Sequence, residues 1–535
     1  MNSPIYNPLE EYEGKIKDVH SEKTKAFFEN LVNISKVNAE ENRITVAKYN
    51  EYKENLSKLK KKLNLWRFLR VLMCIVIILI PLVILKMTPK IRLMREEISE
   101  ADKKADELLA LANKQMQPLN SLFSEKDALD IIHETVPLLS FDQCFSAEKE
   151  ADMKINYDFS AIGDGEESSI DVLSGDYNGN PFLFETQFVH KMGTETYHGY
   201  KTISWTETYR DSSGSLKRRT RTQTLHASVV KPKPFYSTRI ALNYGSQGGP
   251  ELSFSRDATN LDEKSEKAIE RYVKRGERKL KKLTDKAIKE NDDFQSMSNT
   301  DFEVLFDALD RTDEVQFRAL FTPLAQTNMV DLILSKTGFG DDFNFFKQKR
   351  MNKIITEHSR GRALTLLPGE YISYSFDIIR ENFINKNIAF FKAVYFDFAP
   401  ILAIPAYQER PVHSLKPIPD YSQMYSLKEC EALANAIDKK YTVHPDTKTE
   451  AIIKSEYLKT ENNADEFSVT AYSYDIAGRV DIVPVFGGDG RYHNVSVPWD
   501  EYLPLEQYNN FFVSQIDDNN VSNAMATGNG LCIFK

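Results

Sequence analysis

The sequence predicts an α+β protein built on a helical stalk. An N-terminal helical region with one transmembrane helix leads into an antiparallel-hairpin-rich α+β domain, and a smaller α+β domain follows at the C-terminus. Three observations predict this. Val71–Leu85 is an apolar run without a charge. Stripes of apolar residues at spacings of 3 and 4 flank it on both sides. Beyond about residue 150, period-two alternation and turn signals take over.

A chain of 535 residues has room for two or three domains besides an anchor. Its 32 Phe and 25 Tyr exclude wholesale disorder. A formal net charge of −9 argues against a general nucleic-acid binder, so no specific nucleic acid is expected as a partner. Cys74, Cys144, Cys430 and Cys532 show no C-x-x-C spacing, which predicts neither a zinc site nor a disulfide framework. Heavy use of Lys, Asn and Ile fits an AT-rich bacterial genome.

Fifteen residues of helix rise about 22 Å, and widening the run to Phe68–Met87 gives about 30 Å, the hydrocarbon thickness of a bilayer. Arg70 and Lys86 then reach the two interfaces and Trp66 sits at headgroup depth. The expected partner is a lipid bilayer and the expected location a cell membrane, crossed once. Lys58, Lys60, Lys61, Lys62, Arg67 and Arg70 precede the run, and Lys86, Lys90, Arg92 and Arg95 follow it. The excess on the first side favours a cytoplasmic N-terminus.

Residues 1–14 read as a loose tail, and residues 1–67 together as a polar helical region. A helix over about 15–70 carries a seam at Tyr49, Tyr52, Leu56, Leu59, Leu63 and Trp66. After the span at 68–87, a second helix over 88–118 carries Ile91, Met94, Ile98, Ala101, Ala105, Leu108 and Ala112, and Pro118 stops it. Two readings fit these seams. Either Tyr52, Leu56, Leu59, Leu63, Ile91, Met94 and Ile98 join copies of the chain into a homo-oligomer, or each stripe docks on its own chain.

An α+β domain is expected over 119–407. It opens with a helix after Ser124, and Asn178-Gly179 then turns between strands at 170–177 and 182–190. Tyr197–Tyr209 alternates Tyr197, Ile203, Trp205 and Tyr209 against Thr202, Ser204, Thr206 and Thr208, and a turn at Asp211–Gly214 returns it along Leu216–Val230. Lys217, Arg218, Arg219 and Arg221 on the return are either an anionic-surface contact or an edge guarded by charge. A long basic helix over 261–291 has a seam at Ile269, Val273, Gly276, Leu280, Leu283 and Ala287. Its Arg271, Lys274, Arg275, Arg278, Lys281 and Lys282 make it a candidate for anionic lipid or an acidic partner, against the plainer reading of a solvated face. Ile388–Tyr407 reads as buried strands, because Lys392, Asp397, Pro400 and Pro405 interrupt its apolar run. A Pro-rich linker over 408–426 leads to the C-terminal domain, 427–535, where a Ser426–Glu429 capping box precedes a helix and a β-meander.

No chemistry-bearing motif emerges. The nine histidines show neither H-E-x-x-H nor H-x-H spacing, and no Walker loop, G-x-S-x-G or dinucleotide fingerprint is present. Asp164–Glu167 and Asp341-Asp342 are the tightest carboxylate groups, read as solvated loops or adventitious cation binders rather than a catalytic pair. No catalytic residue, metal ligand or cofactor is assigned.

Asn299–Gln326 contains Phe306, Asp313-Glu-Val-Gln-Phe-Arg318 and Leu320-Phe-Thr-Pro323, and continues to Asn328–Leu334. This phrase resembles a domain-of-unknown-function family of bacterial membrane proteins, which pair hydrophobic N-terminal segments with an α+β domain. The resemblance is strong over 299–358 and looser over 120–360. It implies a helix from Thr322-Pro323 to about Ser335, then strands at 343–348 and 353–358. The family pattern often has two membrane spans where one is read here, and the last 150 or so residues lie outside it. The family has no established activity, so it brings no site residues.

These observations favour a membrane-anchored, non-catalytic scaffold or binding protein that self-associates through its helices. The alternatives are an enzyme, of hydrolase type, with a site of dispersed residues, and a tether or sensor for anionic surfaces.

Overall fold

The computed structural model describes residues 4–75, 83–159, 166–259, 261, 263–290, 294–411, 416, 418, 424–461, 464–514 and 530–534. The fold is mixed α+β with a helical N-terminal region. The chain forms two compact units that do not follow the expected boundaries. One holds 10–139 and 365–395; the other holds 4–9, 140–364 and 396–535. The presumed C-terminal domain is therefore part of the second unit.

The first unit is helical. α1 (Lys17–Ser35) ends at Lys36, whose φ of 55° is left-handed and terminates the helix, so the expected continuous helix over 15–70 is broken there. α2 (Ala39–Ile75) and α3 (Thr88–Asn120) follow, then α4 (Asp127–Thr135). α3 runs two residues past Pro118, because a proline near a helix C-terminus removes only one late hydrogen bond. The segment from Phe376 to Tyr395 completes the unit and belongs to one helix, Phe376–Leu402. The strands expected at 388–407 are therefore overturned: an all-round apolar run of this length suits a buried helix, and Pro400 falls in its last turn.

α2 and α3 form an antiparallel hairpin. Lys60 pairs with Asp102 at 2.9 Å, and the Gln115 amide donates to Thr45 Oγ1 at 3.2 Å. Lys90 lies 4.3 Å over the Trp66 ring. The two predicted seams meet each other: Leu56, Leu63, Ile91, Met94, Ile98 and Ala105 are buried together, with Tyr49, Tyr52, Leu59, Trp66 and Ala101 packed against them. A stalk continuing through a bilayer would hold these seams apart on opposite faces, so the expected stalk geometry is corrected. Much of the expected span, residues 76–82, lies outside the described residues. Among the described residues no helix is long and apolar enough to cross a membrane.

The second unit is built on a seven-stranded sheet in the order β1-β2-β3-β4-β7-β6-β5. Its strands are β1 (Leu139–Phe141), β2 (Glu167–Tyr177), β3 (Asn180–Arg210), β4 (Leu216–Gly245), β5 (Ser253–Arg256), β6 (Phe343–Gln348) and β7 (Met351–Thr356). The Asn178-Gly179 turn has φ of 50° and 84°, both positive as a two-residue hairpin of this kind demands. β3 and β4 continue far beyond the predicted hairpin as one ribbon of 31 and 30 residues. A second sheet, β11-β10-β9-β8, contains the ribbon of β9 (Ala464–Phe486) and β10 (Tyr492–Ser514), flanked by β8 (Ile452–Glu461) and by β11 (Gly530–Phe534), which runs parallel to β10. The two ribbons share a small core of Ile203, Leu225, Ala227, Val495 and Val497. Gly199 permits this approach, since a Cβ there would lie 2.2 Å from the Ser496 carbonyl oxygen.

The predicted loose tail is partly pinned down. Ile5 is buried, and its N–H donates to Gln408 Oε1 at 2.7 Å. The helix Pro323–Leu334 begins as expected, with the Thr322 hydroxyl accepting from the Ala325 N–H.

Candidate membrane-contacting surface

The hairpin of α2 and α3 gathers what the sequence spreads over 41 residues. From Asn55 to Arg95 the chain has ten basic residues and no acidic one. Antiparallel pairing places both basic clusters at the same end, around the apolar run. Lys61, Lys62, Arg67 and Arg70 on one arm and Lys86, Lys90 and Arg95 on the other are exposed. Among the described residues three of the ten find acids: Lys58 pairs with Glu54, Lys60 with Asp102 and Arg92 with Glu96.

Beyond the seam, the arms turn apolar side chains to solvent. Leu65, Phe68 and Val71 are 57%, 64% and 64% exposed, and Leu85 is 76% exposed. Solvent is a poor environment for such a concentration of large apolar groups. The seven predicted seam residues Tyr52, Leu56, Leu59, Leu63, Ile91, Met94 and Ile98 are instead occupied by one another within the chain.

The other predicted cations behave differently. On the β3–β4 ribbon, Lys217 pairs with Asp211 at 3.0 Å, and Arg219 and Arg221 both reach Glu207, at 3.2 and 2.6 Å. Arg218 points to the opposite face of the strand. Asp211 and Glu207 thus offset two of the four positive charges of this cluster. α5 (Glu266–Glu290) packs on α6 (Thr300–Phe306) through Leu280 and Ala287, and through Gly276, where a Cβ would lie 2.3 Å from Val304. Its Arg271, Lys274, Arg275, Arg278, Lys281 and Lys282 are exposed and have no ion-pair partner among the described residues.

The polar groups that could suggest catalysis serve the core. Asp341 and Asp342 are not solvated loop residues. Asp341 is fully buried against Arg256 and Thr259, and Asp342 accepts from His358 Nδ1 at 2.6 Å. His358 Nε2 faces Asp397 at 3.3 Å. Burial opposes protonation of this ring, but the two carboxylates outweigh it and raise its pKa to about 9. A ring held as imidazolium between two carboxylates has no lone pair for base catalysis. Ser359 is fully buried and donates to Asp397 at 2.7 Å, so the pair does not form a nucleophile and its base. Glu167 is likewise buried, 2.8 Å from Arg239, whereas 160–165 lie outside the described residues. The described residues contain no group of three or more His, Cys, Asp or Glu suited to a metal ion.

No family model matches the chain, and neither a curated protein nor a solved structure matches it. The arrangement of the chain's own residues is therefore what speaks to its function.

Proposed function

We propose that this chain is a membrane-anchored tether that grips an anionic leaflet with the tip of its α2–α3 hairpin and carries non-catalytic binding domains. The observation that carries this reading is the coincidence, at one end of the hairpin, of exposed Phe68, Val71 and Leu85 with seven exposed basic side chains. Apolar side chains favour the acyl region, and cations favour phosphate headgroups just outside it. The two arms run antiparallel, so in this reading the tip enters the membrane from one side and both arms stay on that side. This replaces a single crossing with a monotopic anchor.

The test is flotation of the purified full chain with vesicles of phosphatidylglycerol and phosphatidylcholine, against phosphatidylcholine alone. Flotation with the anionic vesicles, weakened but not abolished by high salt, is expected. A chain that stays at the bottom of the gradient with both would sink the proposal.

A further inference from the structure

On the outer face of the β3–β4 ribbon two histidines meet. His198 Nδ1 and His226 Nε2 lie 2.9 Å apart, with ring centroids at 5.0 Å and planes 28° apart. They sit diagonally across the strands, because His198 is opposite Ser228 and His226 is opposite Tyr200. Both are exposed. Their positions are held from behind, where Leu225 and Ala227 join the core shared with β10 and Gly199 lies against its backbone. Long strands fixed in this way keep two imidazoles together without help from a loop.

We propose that His198 and His226 form an open site for a divalent transition-metal cation of the copper(II) and nickel(II) class. Imidazole nitrogens bind such ions at about 2.0–2.1 Å. Two nitrogens in adjacent positions of a square or octahedral shell are then about 2.9 Å apart, whereas a tetrahedral ion needs about 3.3 Å. The observed separation matches the first geometry. In the metal-free pair one ring donates its N–H to the other. A change of tautomer moves that proton to the outward nitrogen, and rotation of the two exposed rings turns both lone pairs toward the ion, with no net proton release. The neighbours on this face, Tyr200, Thr202, Thr224 and Ser228, bring no carboxylate, so water completes the shell and the ion exchanges readily. The spacing in sequence, 28 residues apart, hides the pair from any motif search.

The experiment is calorimetric titration of the full chain with copper(II), and separately with nickel(II) and zinc(II), for wild type, His198→Gln, His226→Gln and His444→Gln. The expected result is one saturable equivalent, with copper above nickel and both above zinc. Each of the first two variants should weaken copper binding at least tenfold, and His444→Gln should leave it unchanged. Electron paramagnetic resonance of the copper form should show coupling to two nitrogens. Absence of saturable binding overturns the proposal, as does binding that survives both variants or needs only one of the two rings. Both side chains are solvent-facing, and matching thermal melts will separate loss of binding from loss of fold.

Discussion

Replacing the three exposed apolar residues of the hairpin tip, in Phe68→Ser, Val71→Ser and Leu85→Ser together, addresses the membrane reading most directly. The three are 64%, 64% and 76% exposed, so the folded protein loses little by the change. Full burial of such a side chain is worth about 1.5–3 kcal/mol, and scaling by exposure gives a total of about 3–6 kcal/mol on entering an acyl environment. Taking about 4 kcal/mol, the vesicle partition coefficient falls roughly 1,000-fold. The loss should be nearly independent of salt, because the term removed is apolar.

The basic collar supplies the contrast. Each Lys or Arg near an anionic surface contributes about 1 kcal/mol at physiological ionic strength. Charge reversal in Lys61→Glu and Lys62→Glu should therefore weaken binding strongly at low salt and little at high salt. Vesicle flotation across a salt series, with circular dichroism to confirm the fold, reads both effects. A triple serine variant that partitions like wild type would refute the reasoning, because Phe68, Val71 and Leu85 are the most exposed of the large apolar residues described at this end, ahead of Leu65 and Leu93.

Other consequences concern the packing that holds these surfaces. Leu63→Ala removes a buried seam contact and should cost about 2–4 kcal/mol, seen as faster amide exchange in both α2 and α3 rather than in one arm. Lys428 lies 2.9 Å from Glu185, which also accepts from Ser169 at 2.6 Å. Burial raises the Glu185 pKa, but Lys428 and these hydrogen bonds prevail and hold it down to about 2. Lys428→Met strands that carboxylate and should destabilise the second unit by about 3–5 kcal/mol in urea unfolding, whereas adding Glu185→Leu should restore part of the loss. His20 is buried, 3.0 Å from Thr135 and stacked on Phe391, and desolvation lowers its pKa to about 4. The unfolded chain takes up this proton near pH 6.5 and the folded chain only near pH 4. Stability should therefore fall by about 3 kcal/mol as pH drops through that window, and His20→Gln should flatten the profile.

How much of this the sequence revealed depended on the range of the interactions involved. The Asn178-Gly179 turn, the Thr322-Pro323 helix start and the alternation along 197–209 are encoded by near neighbours, and each was legible. Both hairpin seams were legible too, as periodicities. Their partner was not, because two stripes with the same spacing can pair within a chain or between chains, and only the fold of the intervening residues decides. The helix Phe376–Leu402 was misread for a related reason: a segment buried on every side loses the period that separates helix from strand. The paired histidines, the Asp342–His358–Asp397 cluster and the Glu185–Lys428 pair join residues tens to hundreds of positions apart. No local pattern records such meetings.

The charge distribution of the hairpin carries an energetic argument of its own. Pairing the seams buries apolar surface, but it also brings Lys61, Lys62, Arg67, Arg70, Lys86, Lys90 and Arg95 together at one end, in a stretch with no acid between Asn55 and Arg95. Like charges in this arrangement repel, and in water that repulsion works against the hairpin. Stabilising the arms alone would call for alternating signs, as in the Lys60–Asp102 pair farther down the seam. The exposed Leu65, Phe68, Val71, Leu85 and Leu93 all fall within the stretch between Glu54 and Glu96 that lacks acids. An anionic headgroup layer reverses the sign of the cost, since each cation then meets phosphate and the residues beyond it meet acyl chains. The hairpin tip is thus unfavourable in water on two counts, charge and hydrophobicity, and an anionic bilayer relieves both at once.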